Sequence, residues 1–146
     1  MQMKGFDFMN KTNQKMTVVL VEPNKEARIV KIDNTLKAMQ KTVGGYIEAV
    51  YPYDDNVAIV CNEEGKIAGL PLNRALKDAD GKVYDIIAGT FFIAGLTEDN
   101  FGSLTNEQKN QYLKEFEHPE KFIRFGNEII ISSEYTPVEK GKGVKL

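Results

Sequence analysis

Apolar and polar positions alternate or cluster along the chain in a way that predicts many short strands and few helices. Met16 to Glu22 is β-branched and apolar at successive positions, the pattern of a strand buried on both faces. Pro23 and Asn24 predict a turn into a second, more polar strand over Ala27 to Ile32. Leu36, Met39 and Val43 then fall at helical spacing. Asp33 stands ahead of them as an acceptor for free helix N–H groups, and Gly44 stands where a left-handed C-terminal cap is wanted. Gly45 to Tyr53 reads as a strand that Pro52 closes, Asp54 to Asn56 as a turn, and Val57 to Cys61 as another strand buried on both faces.

Asn62 to Lys66 predicts a tight reversal with Gly65 in a left-handed position, and Asp78 to Lys82 repeats that chemistry. Between them, Gly69 to Leu76 reads as a turn followed by one short helical turn. Ile86 to Gly95, the most apolar stretch, predicts a further central strand. Thr105 and Gln108 form a capping-box pattern opening a helix in which Tyr112, Leu113 and Phe116 share a face, and Pro119 ends it. Lys121 to Phe125 and Glu128 to Ser132, joined by Gly126-Asn127, predict a terminal hairpin on a type II′ turn. Strands joined by such short turns define an α+β domain, a mostly antiparallel or mixed sheet with two to three packed helices. The domain is expected over residues 16–133, with polar tails over 1–15 and 134–146 that bury little apolar surface of their own.

Composition narrows the chemistry. The chain has 146 residues, 42% of them apolar, enough for one core and short of two. Lys and Arg number 19 against 21 Asp and Glu, with both signs scattered, so a basic groove for nucleic acid is disfavoured. A single histidine, His118, and a single cysteine, Cys61, leave too few residues for most zinc sites, for Ser-His or Cys-His pairs, or for an internal disulfide. No apolar run approaches the roughly 20 residues that span a bilayer. With no signal-like apolar centre near the N-terminus, a cytoplasmic location is expected. No catalytic set, metal site or cofactor is expected from these counts.

The remaining candidates are polar or aromatic side chains in apolar surroundings. Asn73 and Arg74 interrupt Leu70, Leu72 and Leu76; Arg74 either anchors a loop through backbone carbonyls or offers its planar fork to a phosphate or carboxylate. Tyr46, Tyr51 and Tyr53 crowd one segment, as packed strand residues or as a stacking wall for a base or peptide. Thr90, after Gly89, can present a hydroxyl at a sheet end. Tyr46, Tyr51, Asn73, Arg74 and Thr90 are therefore the ligand-binding candidates. Asp54 with Asp55 and Glu63 with Glu64 read as turn residues, Gly44-Gly45 as a helix cap and not a phosphate cradle, and Cys61 as a buried small residue.

Val43 to Tyr51, Val57 to Gly65, Leu72 to Leu76 and Ile87 to Ile93, in that order, resemble the domain-of-unknown-function family 3846 over roughly Met16 to Ile131. That resemblance implies a small protein of phages, plasmids or conjugative elements in bacteria and carries no catalytic residue with it. Three functions compete. The first is a non-catalytic binding protein that counters host defence by sequestering a nucleotide-like signal. The second is an adaptor or inhibitor that binds a host protein, with homo-oligomers as one form of that pairing. The third is a small enzyme whose carboxylates meet only in the fold.

Overall fold

The structure, a computed structural model, describes residues 14–133. The tails expected over 1–15 and 134–146 lie outside the described residues except for Gln14 and Lys15. Lys15 already belongs to the first strand.

The doubly apolar segments form the middle of a six-stranded sheet. Its strands are β1 (Lys15–Val21), β2 (Arg28–Asp33), β3 (Ile47–Val50), β4 (Val57–Asn62), β7 (Phe91–Leu96) and the short β8 (Phe101–Gly102). The order is β2-β1-β7-β4-β3, with β8 on the end of β7, and every pairing is antiparallel. Ile93 of β7 sits opposite Val19 of β1 on one side and Ile59 of β4 on the other. Phe92 likewise joins Leu20 to Val60. Those side chains are almost wholly removed from water, which is why the three strands are apolar at nearly every position.

Each face of the sheet carries its own core. On one face Met16, Val18, Leu20, Val60, Phe92 and Ala94 pack against Met39 and Val43 of helix α1 (Leu36–Val43). The helix starts at Thr35, whose hydroxyl accepts from the Ala38 N–H at 3.1 Å, and ends at Gly44 in the left-handed region. Asp33 is not the cap that the sequence suggested; it lies at the end of β2 and pairs with Lys15 Nζ at 2.7 Å. On the other face Val19, Val21, Ile59, Phe91 and Ile93 pack against helix α2 (Asn106–Glu115) and against a separate hairpin of β5 (Leu72–Lys77) and β6 (Val83–Ala88). A second hairpin, β9 (Glu120–Phe125) with β10 (Glu128–Ser133), turns at Gly126 as expected. These two helices and all-antiparallel pairings establish the α+β class among the described residues.

Two further expectations change. Gly69 to Leu76 holds no helical turn, because Leu72–Lys77 is strand β5. The apolar run from Ile86 to Gly95 is two strands: Gly89, at φ +88, breaks it between β6 and β7 and sends them to different sheets.

Helix α2 docks through a polar clasp. Its capping box is complete, Thr105 Oγ1 accepting from Gln108 N–H and Gln108 Oε1 from Thr105 N–H. Tyr112 is buried, stacks obliquely on Tyr53 at 5.0 Å, and donates to Asp55 Oδ2 at 2.8 Å. The Gln108 side chain donates to Asp55 Oδ1. The Tyr112 bond first, with those from Gln108 and the Asn56 N–H, holds the Asp55 carboxyl below its usual pKa. A depressed native pKa stabilises the fold above the unfolded value near ~3.9 and ceases to do so as pH falls through the native value. Asp55→Asn is therefore expected to cost about 1 kcal/mol at pH 7, less than the ~1.5–3 kcal/mol of a buried charge-assisted bond because the carboxylate is exposed. Urea melts across pH should show that difference shrinking once pH drops below about 4.

Candidate functional site

An open cleft of about 480 Å³ lies on the α2 face, between β3 at the rim of the main sheet and β6 of the first hairpin. That volume falls within the ~300–1,000 Å³ usual for ligand sites. The strand alternation explains its lining. Glu48 and Val50 of β3 point to the same side as their cross-strand partners Cys61 and Ile59. Cys61, Leu76 and Ile87, all buried, make an apolar floor, while Tyr51, Tyr84 and Ile67 stand at the walls, 62%, 55% and 87% exposed. Carboxylates rim it: Glu48, Glu63, Glu64 and Asp85 against the single ammonium of Lys66, which pairs with Asp85.

The turn after β4 shapes one wall. Asn62 Oδ1 accepts from the Glu64 N–H at 2.8 Å, and Asn62 Nδ2 donates to Val43 O at 3.2 Å, tying the turn to the end of α1. Gly65 is not among the left-handed glycines. It is needed for space, since a Cβ there would stand 2.5 Å from the Ala88 carbonyl oxygen at the end of β6. Gly65→Ala is expected to push the turn from the hairpin at a cost of about 1–3 kcal/mol, read as a lower melting temperature together with shifted amide resonances at Ala88 and Tyr84.

Cys61 on the floor is desolvated, and its thiol is pushed from 9.0 up to about 11, chiefly by burial and then by the Glu48 carboxylate. At pH 8 its thiolate fraction is thus about a hundredfold below that of the unfolded chain, and alkylation by iodoacetamide should be slowed at least that much until urea is added.

Of the five ligand-binding candidates, the cleft takes one, Tyr51. Tyr46 is 70% exposed and lines a different hollow with Gln40, Gly44 and Ala68. Thr90 is half-buried just before β7 and lines no part of the cleft. Asn73 and Arg74 are buried and engaged inside the protein. The Asn73 amide donates to Val21 O at 3.0 Å and Gly89 O at 2.8 Å. The Arg74 guanidinium donates to Phe116 O, to Lys25 O at 2.7 Å, and to Asn73 Oδ1 at 2.9 Å. Of the two roles weighed for Arg74, the structure displays the loop-anchoring one, and its fork is taken up by carbonyls. Burial lowers its pKa, and the nearby Glu120 carboxylate opposes that.

Tyr84, Ile67, Glu48 and Asp85 escaped the sequence reading. Tyr84 did leave a signal, an aromatic in a polar strand just after an Asp-Gly turn, but only the fold places it on the same cleft as Tyr51. Among the described residues no three or more His, Cys, Asp or Glu side chains group to hold a metal ion. No helix there is long and apolar enough to cross a membrane.

Fold and cleft together define a small, antiparallel α+β protein with an aromatic cleft rimmed by carboxylates. The chain belongs to the family described as domain of unknown function DUF3846, whose sequence pattern matches residues 16–117. The match ends just after α2, so β9 and β10 lie beyond it, and it is shorter than the Met16 to Ile131 expected from the residues. Comparison with curated proteins and with solved structures finds no match.

Proposed function

We propose that this chain is a binding protein that holds an extended segment of a partner protein in the cleft between β3 and β6. The observation that carries the reading is the pairing of two largely exposed tyrosines, Tyr51 and Tyr84, with a buried apolar floor. Aromatic side chains that stand in solvent above such a floor are the usual anchors of a protein interface. Among the described residues both flanking strands are also outermost in their sheets, β3 beside β4 only and β6 beside β5 only, so each offers backbone groups to an added strand.

Sequestration of a nucleotide signal is less well supported. Asn73 and Arg74, the groups expected to hold a phosphate, spend their donors on internal carbonyls. The cleft itself presents four carboxylates and one already paired lysine, a field that repels an anion. In the mobile-element setting that the family resemblance implies, the partner is a host protein and the effect is its inhibition. A photo-reactive phenylalanine analogue at position 84 tests the reading. In host cells it should crosslink to a discrete protein that the same analogue at position 46 does not capture, and capture from position 46 alone would move the site elsewhere.

A further inference from the structure

Resting on that reading of the cleft, we infer that the group it takes from the partner is an arginine side chain, its guanidinium between the tyrosines and the carboxylates. The charge balance points that way. Lys66 is held by Asp85, and among the described residues no lysine or arginine pairs with Glu48, Glu63 or Glu64. Three carboxylates thus line one opening whose single lysine is already paired, in a chain whose net charge is only −2.

The remaining chemistry matches the same side chain. A guanidinium stacks on an aromatic face and donates in a planar fork to carboxylates, so Tyr84 or Tyr51 and one glutamate can both be satisfied by a single group. Its three methylenes need apolar surface, and Leu76 and Ile87 supply it at the floor. A neutral apolar segment would cover the glutamates and leave them poorly solvated with nothing in return. An anionic segment would meet them as like charges.

Amide chemical shifts of the full chain, followed during titration with acetyl-Gly-Arg-Gly-amide and with the same peptide carrying uncharged citrulline, test the inference. The arginine peptide should give saturable shifts centred on Tyr51, Ile67 and Tyr84, and citrulline should bind about tenfold more weakly, the loss of one charge-assisted contact. Glu48→Gln with Glu64→Gln should weaken the arginine peptide to a similar degree while leaving the melting temperature unchanged, as these side chains are exposed. Equal binding of both peptides in the cleft would overturn the choice of a cation and leave the partner-binding reading standing. Shifts scattered over exposed acids elsewhere, such as Glu98 and Asp99, would overturn it as general electrostatic attraction. Silence from both peptides, together with no crosslink from position 84, would remove the cleft reading as well.

Discussion

Arg74→Ala is expected to lower the unfolding free energy by about 3–5 kcal/mol, the cost typical of removing one member of a buried charged network. The side chain is 1% exposed and its donors reach Phe116 O at the end of α2, Lys25 O in the turn between β1 and β2, and Asn73 on its own strand. Truncation leaves the Phe116 carbonyl and the Asn73 side-chain oxygen buried without that donor, and each orphaned group carries a desolvation penalty of about 1–3 kcal/mol. For a chain of this size the melting temperature should fall by roughly 10–20 °C. Arg74→Lys should recover only part of the loss, because one ammonium cannot span carbonyls that a planar fork reaches from two sides.

The network also predicts non-additivity. Asn73 and Arg74 share the 2.9 Å bond between them and together gather carbonyls from β1, the β1–β2 turn, the end of α2 and the Gly89 corner. The double alanine variant should therefore lose less stability than the sum of the single variants by about 0.5–3 kcal/mol. Denaturant curves with unchanged slope and a lower midpoint are the measurement. Strict additivity would mean that the two side chains act separately.

Tyr51→Ala combined with Tyr84→Ala is expected to reduce affinity for the captured partner by about a hundredfold or more, since central aromatic anchors each contribute on the order of 2 kcal/mol. Stability should change little, because both side chains are more than half exposed and surface substitutions stay within about 0.5 kcal/mol. Tyr46→Ala serves as the matched control: it removes a still more exposed tyrosine from a different hollow and should leave affinity intact. Affinity measured by calorimetry on the crosslinked partner separates these outcomes. A double variant that binds as tightly as the parent would exclude the tyrosine walls as the docking surface.

Alkaline conditions should also loosen the α2 clasp. Tyr53 and Tyr112 are both held protonated well above the ordinary phenol value, by burial first, then by Glu115 for Tyr53 and by Asp55 for Tyr112. A raised native pKa contributes stability that is complete below the unfolded value near ~10 and disappears as pH climbs through the native one. Melts above about pH 10 should therefore show a decline that Tyr53→Phe reduces.

Local elements were legible where one short stretch of chain contains the whole physical cause. Thr105 and Gln108 satisfy each other's backbone groups across one turn, and Gly126 meets the backbone demand of a two-residue hairpin, so both could be read from adjacent residues. The apolar strands β1, β4 and β7 were legible for a related reason: burial on both faces suppresses alternation. Gly69 to Leu76 misled because Asn73 and Arg74 break its apolar pattern. Their partners lie 16 to 52 positions away along the chain, at Val21, Lys25, Gly89 and Phe116.

By itself, then, the order of side chains determined the doubly buried strands β1, β4 and β7, the capping box of α2, the Gly44 cap of α1, the terminal hairpin turn, the α+β class and the family to which the chain belongs. Tertiary structure alone decided that Arg74 faces inward, that Gly65 is required for close approach and not for its dihedral angle, and that Tyr84 joins Tyr51 above Leu76 and Ile87. Periodicity and capping depend on neighbours a few residues apart. A cleft depends on which strand becomes the edge and which hairpin folds over the face beside it, and that choice is made by the packing of the whole sheet.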